Sequence, residues 1–434
     1  VGQWCAYPNY DIIKKFTGFM RPGNYEIFRD SAEAHGVLKQ DKNFAWASGR
    51  FQLECYKEEI EANLRTPGLE GFQLLDLHDY VGQGTALVGL LDTFWQNKGY
   101  VTPEEFREFC SPVVPLARLT NRVFTTADKL EAPVEVANYG KSPLTNAVGD
   151  WQILDSSGKA VAHGTWPAKT IPLGENFTLG QVTADLSSLP APGQYKLAVH
   201  IRRTGVTPVS NSSDKNGDGR DAYPTAANDW NFWLYPAKIS EAIPPGVLIA
   251  SSWDTAEKHL AAGGKVLFLP RNSDLYWNCP PLARVPIFWN RLMNPAWSRM
   301  LGLWCDTNSP ALAEFPTDAN CDWQWTTLLH NTRAVNLDHL PRGLQPIVQA
   351  IDDWNRNWKL GLIFEAKVGQ GRLMVCSIDL NPKTNPVAQQ LRRTLLDYMA
   401  SAKFQPQTEI SPADFLSLHF NSLIMHDLGA AARA

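Results

Sequence analysis

Three kinds of hydrophobic patterning follow one another along the chain. From residue 1 to about 112 helical spacing alternates with short apolar runs. In FAWASGRFQLECYKEEIEANLRT, Phe44 to Thr66, the residues Phe51, Leu53, Tyr56, Ile60 and Leu64 recur near helical spacing with acids and lysine between them, which predicts an amphipathic helix. Pro67-Gly68 stops it, and GFQLLDL, residues 71–77, reads as a short buried strand. A loop, Gly82-Gln83-Gly84, leads into an apolar segment through Ala86, Leu90, Leu91, Phe94 and Trp95 that Gly99 ends, read as a further helix. Thr102-Pro103-Glu104-Glu105 is a helix start, with Thr as N-cap, Pro in the first turn and acids behind it. Helix, strand, loop, helix is the repeating unit of a parallel α/β fold.

Residues 113–236 change period. Short alternating runs (PVEVANYG, DWQILDSSGK, LGQVTADLSSL, GQYKLAVHI, DWNFWLYP) are separated by Pro, Gly, Ser and Asn, as in an immunoglobulin-like β-sandwich serving as a structural spacer. Residues 237–402 return to α/β. PPGVLIASS and KVLFLP read as buried strands around the helix DTAEKHLAAGG, and GRLMVCSIDL is a later strand flanked by LGLIFEAKVGQ. The helix PVAQQLRRTLLDYMA closes the region. Strand, helix and strand in such short order predict parallel strands in an open flavodoxin-like sheet. Residues 403–434 are a mixed tail expected to pack on a neighbouring domain. The fold class is thus multidomain, α/β plus all-β, without an internal repeat.

Composition narrows the function. A chain of 434 residues holds two to four domains. A net charge of -4 and a pI near 6.2 argue against nucleic acid or an anionic membrane as partner. No apolar run approaches the ~20 residues that cross a bilayer. No GxGxxG follows the first strand of the third region and no GxxxxGK[ST] occurs, so nucleotide chemistry is unsupported. With 16 Trp, 12 Tyr and 19 Phe, flat aromatic faces abound, and such faces pack on the apolar faces of pyranose rings. Most of these aromatics are nevertheless accounted for by core packing. Seven cysteines show no CxxC or zinc spacing, and the odd count leaves at least one thiol unpaired. Asn176 and Asn211 head two glycosylation sequons.

Three clusters carry candidate chemistry. If LLDLHDY ends a barrel strand, Asp76, His78 and the adjacent Asp79 stand at the strand mouth, where (β/α)8 barrels place active-site groups. The competing reading has the two acids capping the next helix while His78 packs. DKNGDGRD, with Asp214, Asn216, Asp218 and Asp221, repeats the first half of a calcium loop and would hold a structural calcium away from catalysis. Position 12 of that loop is Thr225 instead of Glu, so Asp221 would have to substitute; a solvated hairpin tip is the alternative. Asp352-Asp353-Trp354-Asn355-Arg356 is a polar and aromatic cluster suited to a domain interface.

The run Gly71 to Tyr80, GFQLLDLHDY, resembles the last barrel strand of glycoside hydrolase family 2, in which Gly-Phe leads to Trp-Asp-x-x-Asp. Tyr56 to Ile60 matches the Tyr-x-x-x-I of the preceding helix, and VGQWCAYPNY resembles the segment that follows the nucleophile in β-galactosidase and β-glucuronidase relatives. The resemblance implies a retaining exo-β-glycosidase that needs no cofactor for catalysis. Its nucleophilic Glu would stand just before Val1, and its acid farther upstream. Residues 1–112 would be the C-terminal part of a (β/α)8 barrel, which needs roughly 200 residues in all. Gln3, Trp4 and Tyr7 would line the rim of the substrate pocket, with Asp76 and His78 opposite. Where relatives carry a stacking Trp this chain has Leu75, which leaves the substrate subclass open and Trp4 as the candidate aromatic face. The implied partners are a carbohydrate substrate, the N-terminal portion of the same enzyme and, in some relatives, further copies of the chain; the implied location is periplasmic or secreted. The chain alone would then be inactive. The alternative is a non-catalytic carbohydrate-binding or assembly protein. An amidotransferase-like site on the third region is disfavoured, because Cys376 lies inside the strand MVCSID and not at a strand-to-helix elbow.

Overall fold

The computed structural model describes residues 1–418 except 70, 83–84, 204–225, 276–277, 294, 296–298, 382 and 417. In chain order the helices are α1 Gly23–Ala34, α2 Asp41–Arg65, α3 Pro103–Phe109, α4 Trp253–Ala261, α5 Trp325–Leu329, α6 Pro386–Ala400 and α7 Pro412–Leu416. The strands of the middle region are β1 Val113–Ala117, β2 Val123–Thr125, β3 Lys129–Asn138, β4 Leu144–Leu154, β5 Ala160–Thr165, β6 Lys169–Ile171, β7 Gly174–Asp185, β8 Gly193–Arg203 and β9 Ala226–Tyr235. They are followed by β10 Val247–Ala250, β11 Lys265–Phe268, β12 Gly302–Cys305, β13 Val335–Asn336, β14 Val348–Ile351, β15 Leu360–Val368 and β16 Gly371–Cys376. The chain divides into two compact units. Among the described residues no helix is long and apolar enough to cross a membrane.

The first unit comprises Val1, Tyr56–Leu74 and Val101–Ala237. Its strands form a three-stranded sheet, β1-β3-β7, and a six-stranded sheet, β2-β9-β8-β4-β5 with β6 on β4. Alternate residues of both sheets point into one core: Leu130, Val134 and Val136 from β3, Ile153 from β4, Leu197 and Val199 from β8, and Trp230 and Phe232 from β9. The period-2 pattern read from the sequence is the pattern these faces bury. Glu61, on the Tyr56–Arg65 part of α2, is fully buried in this unit. Its carboxylate takes Asn228 Nδ2 at 2.9 Å, Trp230 Nε1 at 3.0 Å and Lys57 Nζ at 3.0 Å, and it also pairs with Arg65. Burial pushes its pKa up, but Lys57, Arg65 and the two N–H donors outweigh that and hold it below the usual value.

The second unit comprises Gly2–Cys55, Leu75–Tyr100 and Lys238 onward. Its sheet has the order β10-β11-β16-β15-β14-β12, with β13 on β15. β10, β11 and β16 are parallel, as the strand–helix–strand spacing predicts. The other half is antiparallel, which departs from an all-parallel open sheet. The cause is local: Gly369, at φ 57°, turns β15 directly back into β16, and a hairpin can only join antiparallel neighbours. Ile410 and Phe415 of the tail pack in the core of this sheet, with the Phe415 ring stacked on Trp253 at 4.0 Å.

The helices α2, α3, α4 and α6 form where their patterns predict. Thr102 Oγ1 accepts the Glu105 N–H at 3.2 Å, and Asn385 Oδ1 accepts from Val387 and Ala388 at 3.0 and 3.4 Å. Two expectations fail. Residues 71–77 form no strand, and Phe72, Leu75 and Leu77 are 36, 50 and 44% exposed. A buried strand needs neighbours for its backbone groups, and this segment has few: Gln73 O accepts from the Val1 amine at 2.9 Å, and Leu77 O from Leu91 N–H at 3.1 Å. The expected helix after Gly84 is also absent. Asp92 Oδ1 captures the N–H groups of Phe94 and Gln96 at 2.8 and 3.0 Å, closing a turn that competes with helical bonding.

Candidate functional site

The residues singled out at the chain start and at LLDLHDY meet in the second unit. Residues 3–6 lie between two other backbones. Cys5 N–H donates to Ile287 O at 3.1 Å and Trp289 N–H to Gln3 O at 2.9 Å, while Ala6 N–H donates to Leu87 O at 2.9 Å. Gln52 Nε2 holds the Trp4 carbonyl at 2.5 Å and the Val88 carbonyl at 2.8 Å, which ties the strips to α2. Segments far apart in sequence are thus fixed in register by main-chain bonds.

Trp4 is half-buried. Its ring meets Phe288 edge-on at 6.1 Å, and its Nε1 is buried with no hydrogen-bond partner. Tyr80 pairs with Ala86 in both directions, at 2.9 and 2.7 Å, and its ring lies 6.1 Å from Trp289. Tyr80 and Phe288 are each 43% exposed, so aromatic faces reach solvent from both strips. Gln3 contributes its carbonyl to this arrangement through Trp289.

Tyr7 stands differently. It is 3% exposed, its hydroxyl donates to Asn357 Oδ1 at 2.5 Å and accepts from Tyr10 at 3.2 Å, and burial pushes its pKa well up. It belongs to the wall of a cavity of about 130 Å³ shared with Asp79, Asp92 and Lys98. Its bond to Asn357 anchors residues 3–7 to the turn 352–357. The same turn holds the loop carrying Phe288 and Trp289, through Arg291 and Asp353 at 3.5 Å. The polar cluster read as an interface therefore organises the aromatic strips.

His78 and Asp79 divide the roles that spacing left open. Asp79 is buried. Its Oδ1 accepts Lys98 Nζ at 2.6 Å and Gly89 N–H at 3.0 Å, and burial lifts its pKa although Lys98 opposes the rise. It caps no helix and faces no solvent; it pins the 77–80 segment against 86–91. His78 Nδ1 donates to the Asp79 carbonyl at 2.8 Å, so in the neutral ring Nε2 is an acceptor. Its ring packs on Trp95 at 4.3 Å, and Trp95 is 61% exposed. Asp76 is half-buried on the same segment. Asp214, Asn216, Asp218 and Asp221 lie outside the described residues.

Sequence reasoning missed Phe288, Trp289 and Trp95. The signal was the aromatic run Pro286-Ile-Phe-Trp-Asn290, whose partners cannot be read from its own spacing.

Two domain families match parts of the chain, each described only as a domain of unknown function: DUF8487 over residues 248–419 and DUF8488 over 128–236. No curated protein matches the sequence. Similar solved structures are glycoside hydrolases. The exo-chitosanase CsxA of Amycolatopsis orientalis is 16% identical at a TM-score of 0.29, over 44% of this chain and 19% of that one. A β-glucuronidase from glycoside hydrolase family 2 is 20% identical at 0.15, over 21 and 10%. The β-glucuronidase of Parabacteroides merdae is 11% identical at 0.18, over 36 and 21%. The chain is similar to glycoside hydrolases of family 2. It spans about a fifth of the length of the exo-chitosanase.

Proposed function

We propose that this chain is the C-terminal portion of a retaining exo-β-glycosidase, similar to β-galactosidases, that removes terminal sugars from poly- or oligosaccharides. Its nucleophilic Glu immediately precedes Val1 and its acid lies farther upstream, so neither carboxylate belongs to these 434 residues. Retaining glycosidases hold two carboxyl groups about 5–5.5 Å apart, one attacking the anomeric carbon and one protonating the leaving oxygen. The observation that carries the reading is the threading of residues 3–6 between Leu87 and Ile287–Trp289. This threading sets the ring of Trp4 against Phe288 and that of Tyr80 against Trp289. Aromatic faces there suit the apolar face of a pyranose, and His78 Nε2 suits a sugar hydroxyl. In this reading residues 113–236 are an immunoglobulin-like spacer and 237–402 a further α/β domain. The location is periplasmic or secreted, and the loop Asp214–Asp221 is a candidate for a structural calcium.

The experiment is to express the chain continuous with its upstream sequence and assay aryl β-galactosides and β-glucuronides. Replacement of the Glu before Val1 by Gln should abolish turnover, and the 434 residues alone should give none. Unchanged activity in the Gln variant, or no Glu at that position, overturns the proposal and favours a binding or assembly protein.

A further inference from the structure

A second site stands on the α/β sheet. The parallel strands β10, β11 and β16 run in register, with Ala250 opposite Phe268 and Phe268 opposite Val375. Their chain continuations (Ser251, Leu269 to Asn272, and Ser377 to Asn381) therefore emerge at one edge of the sheet. They line a cleft of about 640 Å³ that is closed on another side by Thr327 to Asn331 and by Asn385 at the start of α6. In open α/β sheets the crevice beyond the carboxyl ends of the strands is where ligands bind, because loops diverge there and leave backbone and side-chain polar groups turned outward. The volume lies within the 300–1,000 Å³ range typical of small-molecule sites.

An independent observation marks the cleft as built for a ligand. Ser377 is 3% exposed, lines the cleft, and its Oγ has no hydrogen-bond partner. A buried hydroxyl left unsatisfied is destabilising unless something completes it. Its backbone is fixed by the bond from its N–H to Leu362 O at 2.9 Å, so the side chain is held in place by the sheet itself.

The lining states the ligand's chemistry. Arg271 is the only Lys or Arg among the lining residues, and its guanidinium is forked onto Asp274 at 2.8 and 3.0 Å. Asp379 is the only carboxylate, and its Oδ1 already accepts the Asn381 N–H at 3.0 Å. An anion would meet one guanidinium already paired and the His330 imidazole, and a cation a single carboxylate. Apart from the His330 imidazole, the remaining polar groups, Ser251, Asn272, Asn331, Ser377 and Asn381 among them, are hydroxyls and amides that both donate and accept. Leu269, Pro270 and Leu380 add an apolar wall. Groups that donate and accept beside an apolar face match a molecule whose hydroxyls do the same around an apolar ring face.

We propose that this cleft binds a neutral mono- or disaccharide, at a site separate from the aromatic strips around Trp4 and Tyr80 and independent of the glycosidase reading. The test is titration of the full chain with galactose, glucose, lactose and cellobiose, by calorimetry and by saturation-transfer NMR. Ser377→Ala should leave folding intact, because its hydroxyl has no partner to lose. It should weaken the binding of whichever sugar binds by about three- to tenfold, the worth of one hydrogen bond. The exposed pair Asn272→Ala and Asn381→Ala should weaken it further. Failure of all four sugars to bind overturns the proposal. So does binding that Ser377→Ala and the asparagine pair leave within about twofold of the parent chain, a change smaller than one hydrogen bond.

Discussion

Lys98→Met tests the electrostatic anchor behind His78. Lys98 Nζ lies 2.6 Å from Asp79 Oδ1; the Asp79 side chain is buried at 5% exposure and that of Lys98 partly buried at 15%. At that separation and an effective dielectric near 20 the attraction is about 6 kcal/mol, against which the desolvation of both ions is set. Removing the cation leaves Asp79 with the single Gly89 N–H at 3.0 Å, so the expected loss is about 3–5 kcal/mol. The pH dependence gives the reasoning its sign. The Asp79 pKa is already raised by burial, and losing Lys98 raises it further. A carboxyl whose folded pKa is raised costs stability as pH climbs above its unfolded value, near 3.9, until the folded pKa is passed. The Met variant should therefore be nearly as stable as the parent at about pH 4, where the unfolded carboxyl is also half protonated, and lose the full amount by about pH 8. Urea unfolding at both pH values, with amide exchange of residues 78–91, reads this out. Asp79→Asn combined with Lys98→Met leaves no buried charge and should recover most of the loss. A Met variant as stable as the parent at about pH 8, or one equally weakened at both pH values, refutes the anchor.

Three further outcomes follow from the same structure. Gly89→Ala puts a Cβ about 2.2 Å from the His78 carbonyl carbon and 2.4 Å from Asp79 N, backbone that cannot swing aside, so the 77–91 pairing should weaken by about 1–3 kcal/mol in the same exchange experiment. Glu61→Ala strands Lys57, Arg65, Asn228 and Trp230 and should cost about 3–5 kcal/mol in thermal unfolding followed by the β-sheet signal; a loss below about 1 kcal/mol would show that the network is replaceable. Asp353, pushed by burial to about 6, should make stability fall as pH rises from about 4 to about 6 and then level off, an effect of up to about 3 kcal/mol that Asp353→Asn removes.

Much of the molecule is written in short-range pattern. The 3.6-residue period of Phe44 to Leu64 makes α2, the N-cap Asn385 starts α6, and the period-2 runs become β3, β4, β7, β8 and β9, because helix and strand each bury one face set by neighbours in sequence. The chemical types around the candidate site, the acids and histidine of LLDLHDY and the aromatic Trp4, were also readable. Tertiary structure decided the rest. Residues 71–77 carry a strand's pattern yet form none, since a buried strand exists only when other strands satisfy its backbone. Asp79 rather than Asp76 became the buried anchor because Lys98 and Gly89 came to meet it. The loop of Phe288 and Trp289 lies beside Gln3 to Cys5 through backbone bonds spanning more than 280 residues, and the cleft around Ser377 exists because three strands end at one edge. No periodicity encodes such meetings, because they depend on which distant surfaces bury each other.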